Sequence, residues 1–249
     1  MLLDITSQSP EAKASLELVP TDDGPKLRGR AETDLKLVFG KSNRVIVQDI
    51  FVQPFSEDIA PAIFEKLNKN IGAPYEQRWQ KAPEFKVMTT RLTCIPNEAC
   101  MFTWLRISFE LGDEAQGELR PVACKLYPES SQNAIKLTSK VVISGGLTVE
   151  VAKTSASVEE GSEHNRYEYQ INTYGAFSPS PAWDFKETHE HPEITGDLTL
   201  LMVIASPPGA SNSGELKVSA KAQLRSEPLT IPLVTRRTAN QAAAVTFML

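Results

Sequence analysis

Three histidines, three cysteines and a few adjacent carboxylates are the residues of this 249-residue chain whose types suit catalysis or metal binding. The most metal-like run is Thr188-His189-Glu190-His191-Pro192-Glu193. In an extended chain alternate side chains share a side, so His189, His191 and Glu193 would project together. Two imidazoles and a carboxylate suit zinc or iron. However, Pro192 interrupts the run and no later histidine completes a ligand set. The run therefore reads as a polar, turn-flanked loop, and no metal or other cofactor is expected. Cys94 and Cys100 flank a turn-like Ile95-Pro-Asn-Glu-Ala stretch, Cys124 stands apart, and there is no Cys-x-x-Cys pair. A cysteine nucleophile needs a histidine beside it, and the histidines lie in loops far along the chain, so the thiols read as buried and free. There is no Gly-x-Ser-x-Gly elbow and no Walker-type phosphate loop. The adjacent carboxylates Asp22-Asp23, Asp113-Glu114 and Glu159-Glu160 sit in polar turns. An enzyme is not expected.

Binding chemistry is the alternative. Lys26, Arg28 and Arg30 form one short basic cluster and Arg236-Arg237 another. They are weak candidates for phosphate contact with RNA, and a solvated surface is the favoured reading. A net charge of -5 argues against holding nucleic acid by bulk positive charge. Aromatic residues make up 7% and are not interleaved with basic ones as a base-stacking platform requires. Of the tryptophans, Trp104 lies among apolar neighbours and reads as core. Trp183, in Pro179-Ser-Pro-Ala-Trp-Asp-Phe, is the better exposed candidate for a sugar or peptide site.

The elements that must position these residues are mostly strands. Hydrophobic residues at 41% and charged residues at 23% indicate a globular chain, neither disordered nor fibrous. Period-2 patterns mark strands at 14–19, 33–39, 44–52, 85–95, 100–111, 119–127, 139–152, 166–174, 197–206 and 214–225. The clearest is the last, with Leu216, Val218, Ala220, Ala222 and Leu224 on one face and Lys217, Ser219, Lys221, Gln223 and Arg225 on the other. In 100–111, Met101, Thr103, Leu105, Ile107 and Phe109 are read as one face, and Arg106, Ser108 and Glu110 as the other. Segment 197–206 is apolar on both faces and reads as a central strand. Gly145-Gly146 reads as a bulge inside a strand. One short helix is predicted near 57–69, with Ser56 as N-cap and Ile59, Ile63, Phe64 and Leu67 as its stripe.

The resulting expectation is a mainly β protein, an antiparallel β-sandwich of jelly-roll type with one short helix in an N-terminal extension. Residues 1–84 form the extension or a small β subdomain, 85–235 the sandwich, and 236–249 a C-terminal tail. The tail is apolar, and Val245, Phe247, Met248 and Leu249 are its expected interface residues, on this subunit or a neighbour. No apolar run reaches the length of a membrane-spanning helix. The opening Met-Leu-Leu-Asp-Ile has no basic stretch and predicts no signal peptide, and the odd cysteine count points to a reducing compartment.

The run from Gly196 to Leu229 consists of an apolar strand, the loop Pro207-Pro-Gly-Ala-Ser-Asn-Ser-Gly214, an alternating strand and a short polar-Pro exit. It resembles the last two strands of the jelly-roll coat proteins of small icosahedral RNA viruses of picorna-like or tymovirus-like type. The resemblance covers about 35 residues by pattern, and reaches back to Phe85 by strand count and spacing alone. It implies a non-enzymatic capsid-type subunit that assembles with copies of itself or related subunits around RNA, in the virion or host cytoplasm. The alternatives are a cellular, cytoplasmic β-sandwich binding module for a ligand or partner protein, or a viral movement-type protein.

Overall fold

The computed structural model describes residues 2–3, 14–20, 43–54, 83–130, 140–143, 147–150, 169–189, 192–210, 213–225, 230–235 and 245–249. These residues form strands β1 (Leu2–Leu3), β2 (Ala14–Pro20), β3 (Arg44–Pro54), β4 (Glu84–Ile95), β5 (Cys100–Leu111), β6 (Val122–Tyr127), β7 (Lys140–Ile143), β8 (Leu147–Glu150), β9 (Gln170–Tyr174), β10 (Ala182–Lys186), β11 (Gly196–Ser206), β12 (Ser213–Leu224), β13 (Thr230–Thr235) and β14 (Val245–Met248). The protein is mainly β. Among the described residues the only helical turn is a 3₁₀ segment, Glu114–Leu119, opened by Asp113, whose carboxylate accepts the Ala115 N–H at 2.9 Å. Capping therefore accounts for one of the carboxylate pairs. The predicted helix at 57–69 and the predicted strand at 33–39 lie outside the described residues.

Two antiparallel sheets form a sandwich-like arrangement. The first runs β6-β11-β4-β3-β2 and the second β2-β13-β12-β5-β10-β9, with β14 also paired to β12. β2 belongs to both: Ala14–Glu17 pair with β3, and Leu18–Pro20 pair with β13. The far ends are stitched as well. Phe177 N–H donates to Ala123 O at 2.6 Å, Ala123 N–H donates to Ser178 O at 3.0 Å, and Thr173 N–H donates to Ser130 Oγ at 2.7 Å. A separate small sheet runs β1-β8-β7. β2 and β3 come from the first 84 residues, yet both are hydrogen-bonded into the sandwich.

The alternation of β12 appears as predicted: Leu216, Val218, Ala220, Ala222 and Leu224 are all buried in the core. β11 lies between β4 and β6 and is buried on both faces from Leu200 to Ser206, which is why its sequence lacks alternation. Trp183 stands at the centre, with no exposed surface, edge-on to Phe109 at 5.8 Å and donating its indole N–H to Pro128 O at 3.0 Å. This corrects the expectation of an exposed Trp183: its strand is short and flanked by prolines, but it pairs on both sides and points inward.

Two further corrections concern register. The predicted strand 139–152 is two strands, since β7 and β8 pair antiparallel from Ile143↔Leu147 outward. The bulge predicted at Gly145-Gly146 lies outside the described residues. In β5 the pairing to β12 slips between Lys221 and Ala222, which oppose Trp104 and Phe102. Thr103 is the extra residue, so Cys100 and Phe102 point inward, and the parity predicted for Met101 fails.

Candidate functional site

The outer face of the second sheet is where chemistry-bearing side chains converge. Parity past the bulge sends Leu105, Ile107 and Phe109 into the core and leaves Trp104, Arg106 and Ser108 outward. Cross-strand register then fixes their neighbours. Arg106 is flanked by Asp184 on β10 and Ser219 on β12, and Trp104 by Lys186 and Lys221 on the same two strands. Asn172 of β9 lies beyond Asp184, and Gln170 beyond Lys186.

Asp184 is the anchor of this face. Its carboxylate is nearly buried and takes Arg106 Nε at 2.6 Å and Nη2 at 2.7 Å, a two-point fork. The hydrogen bonds from Arg106 to Asp184 raise the guanidinium pKa further. Partial burial opposes this, and the charges of Asp184 and Tyr174 add to it. The fork also sets the guanidinium against two rings: Arg106 Cζ is 5.5 Å from the Trp104 ring centre and 5.5 Å from that of Tyr174. Lys221 Nζ is 5.6 Å from the Trp104 ring. Tyr174, Arg106, Trp104 and Lys221 therefore alternate ring and cation across four strands' width, and each contact contributes about 0.5–1 kcal/mol at such exposure.

Tyr174 is held outward, about half exposed, by the turn that follows it. Gly175 takes φ +73 there, and an added Cβ would lie 2.5 Å from Ser180 O, so only glycine fits. Lys186 and Lys221 are exposed, and neither is within ion-pair distance of a carboxylate among the described residues. Lys217 pairs loosely with Glu215 at 3.5 Å. Glu187, just past β10, has its carboxyl pKa raised by burial and partly offset by Lys186.

The residues singled out from sequence do not assemble into a second site. His189 is exposed, and His191 lies outside the described residues. Glu193 is engaged by Arg225, whose Nη2 reaches both carboxylate oxygens at 2.6 Å. No group of three metal-ligating side chains occurs among the described residues. Lys26, Arg28, Arg30, Arg236 and Arg237 fall outside them. Val245 and Phe247 are buried against the chain's own sandwich, Leu249 packs on its margin, and Met248 is 73% exposed. All three thiols are free and buried, and burial pushes Cys94 and Cys124 up to about 12. Trp104, read from the sequence as core, is instead only partly buried and points outward, because the bulge at Thr103 and the parity of Arg106 put it on the solvent side; Asp184 is not among the residues singled out from sequence. The face shared by Arg106, Ser108 and Glu110 already contains Trp104 two residues back, so parity could have found it. The Asp184 partnership spans 78 positions and has no local signal.

Fold and face together define an antiparallel β-sandwich with a polar, cation-and-ring outer sheet. No known protein family matches the chain, and no curated protein does. Solved structures with some likeness include the N-terminal domain of the adhesin Sgo0707 of Streptococcus gordonii (13% identity, TM-score 0.29, covering 68% of this chain and 29% of that one). The NetB toxin of Clostridium perfringens in its membrane-inserted form gives 6% identity and a TM-score of 0.33, covering 95% of this chain and 94% of that one. The Actinomyces fimbrial adhesin FimA gives 8% and 0.32, covering 79% and 54%. This chain thus spans well under two thirds of either adhesin chain. Likeness at this level assigns neither family nor function. No helix among the described residues is long and apolar enough to cross a membrane.

Proposed function

We propose that this chain is a non-enzymatic binding module whose working surface is the outer face of β9, β10, β5 and β12. The observation that carries the reading is Trp104 flanked cross-strand by Lys186 and Lys221, with Arg106 fixed beside it by Asp184. A core-only role for this sheet would need no aligned cations and rings on its solvent side. Preorganisation by the buried Asp184 lowers the ordering cost of binding, as a recognition surface requires. The test is amide chemical-shift mapping with a panel of oligosaccharides, peptides and oligonucleotides. The reading expects perturbations centred on Trp104, Tyr174, Lys186 and Lys221. Saturable binding mapped wholly to other strands overturns it.

The second reading is the jelly-roll shell subunit, assembling with copies of itself around RNA. It is favoured by β14, which joins β12 through only four register pairs, Ser213↔Met248 to Leu216↔Val245, and could make the same pairs on a neighbour. In that reading Lys26, Arg28, Arg30, Arg236 and Arg237 would face RNA. Sedimentation of the full chain beside one lacking residues 239–249 tests it. A shell subunit gives large assemblies that disperse on truncation; a monomer at high concentration rejects it.

A further inference from the structure

Resting on the binding-module reading, we infer that the ligand of the Trp104 face is an acidic oligosaccharide, its sugar faces on Tyr174 and Trp104 and its carboxylate or sulfate groups on Lys186 and Lys221. Three observations meet here. First, the face is the solvent side of four hydrogen-bonded strands, β9, β10, β5 and β12, which suits an extended chain molecule lying across strands. Tyr174 on β9 and Trp104 on β5 are two strands apart, with strands about 4.8 Å from each other, and four residues apart in register, so a ligand touching both rings must span more than one sugar unit. Second, the charge is placed for anions but is sparse. With strands about 4.8 Å apart, Lys186 and Lys221 stand roughly 10 Å from each other at their Cα atoms, one on each side of Trp104. Third, the rows through Arg106 and Trp104 also carry neutral hydrogen-bonding groups: Gln170, Asn172 and Ser219 lie in them, while the charged Lys217, Glu215 and Glu110 lie further along β12 and β5. Amides and hydroxyls offer both donors and acceptors, which sugar hydroxyls use.

Competing polymers fit less well. A nucleic acid gains affinity by releasing counterions in proportion to the phosphates neutralised, and two exposed lysines on a chain of net charge -5 supply little of that. An acidic peptide gains most by adding a strand to an open sheet edge, whereas this surface is the face of paired strands.

The experiment is calorimetric titration of the full chain with a polyuronic acid hexasaccharide, a neutral β-linked glucose hexasaccharide and oligo(U). The inference expects the acidic hexasaccharide to bind at least tenfold more tightly than the neutral one, with affinity falling as salt rises. Lys186→Ala/Lys221→Ala should lower that affinity tenfold or more, as should Tyr174→Ala. Both variants alter exposed side chains and should keep the parent's far-ultraviolet circular dichroism. Equal binding of the neutral sugar, or an unchanged affinity in the lysine variant, overturns the acidic-ligand inference while leaving the binding module standing. Tight oligo(U) binding without saccharide binding replaces it with nucleic acid. Binding of none of the three overturns it, and the chemical-shift panel then decides the broader reading separately.

Discussion

Asp184 holds Arg106 by two hydrogen bonds of 2.6 and 2.7 Å, carboxylate nearly buried, guanidinium 42% exposed, on paired strands 78 positions apart in the chain. The fork does for the outer face what Trp183 does for the core, since adjacent residues of one short strand send one anchor each way. Asp184→Asn keeps the shape but loses the charged acceptor. Bonds to charged groups contribute about 1.5–3 kcal/mol, and screening at the half-exposed Arg106 reduces that to about 1 kcal/mol. We expect urea unfolding to show this loss, with a changed near-ultraviolet dichroism from Trp104 and Tyr174. Arg106→Lys should lose a similar amount, because an ammonium cannot make the two-point fork.

Gly214 and Phe247 are a coupled pair. An added Cβ at Gly214 would lie 2.4 Å from Phe247 Cζ and 2.7 Å from Cε2, and the Phe247 ring also meets Phe109 edge-on at 5.9 Å. Gly214→Ala alone should cost about 1–3 kcal/mol by overpacking, and Phe247→Ala about 3 kcal/mol by leaving a cavity. In the double variant the alanine methyl enters that cavity, so the combined loss should fall well short of the sum. A double-mutant cycle by chemical denaturation measures the coupling; additivity would show that β14 is not docked on β12.

The buried thiols predict an alkaline limit to stability. Burial lifts Cys94 and Cys124 from 9.0 to about 12. Between those values the unfolded chain sheds the thiol protons and the folded chain keeps them, so the unfolded state binds fewer protons and stability falls as pH rises. The contribution is complete below about pH 9 and lost by about pH 12. The slope approaches about 1.4 kcal/mol per pH unit for each thiol. Urea midpoints between pH 9 and 11 should fall less steeply in Cys94→Ala/Cys124→Ala than in the parent. The native thiols should also resist iodoacetamide at pH 8.

Zinc should leave the protein unchanged. Both oxygens of Glu193 face Arg225, which also donates Nε to Glu98 O at 3.1 Å, so a cation at His189 would have to displace a guanidinium. A tenfold excess of zinc is expected to leave the thermal midpoint unaltered. A rise abolished by His189→Ala would establish the metal site instead.

How far the sequence could be read depended on how local the governing interaction was. Leu216 to Leu224 alternate because one face of β12 is core, and that rule needs no knowledge of partners. The both-faces-apolar run of β11 was legible for the same reason. Thr103 shows the limit: a bulge is set by how β5 lies against β12, and nothing in Cys-Met-Phe-Thr-Trp announces it. β10 was invisible because five residues between prolines and polar residues carry too short a period to detect. The candidate site combined both cases, since Trp104 could be placed by counting in twos from Arg106, whereas Asp184 became a partner only once β10 lay beside β5.

β2, shared by the two sheets, sets a schedule for synthesis. Val19 pairs with Val234, more than two hundred residues later. At translation rates of about 5–20 residues per second, Val19 waits roughly 10–40 s for its partner to be made. Throughout that interval the β13-facing edge of β2 has no mate, and such nascent edges are prone to pairing with other chains. A ribosome-stalled fragment ending before Thr230 lacks the strand that joins β2 to β12, so completion of the sandwich is among the last events of biogenesis.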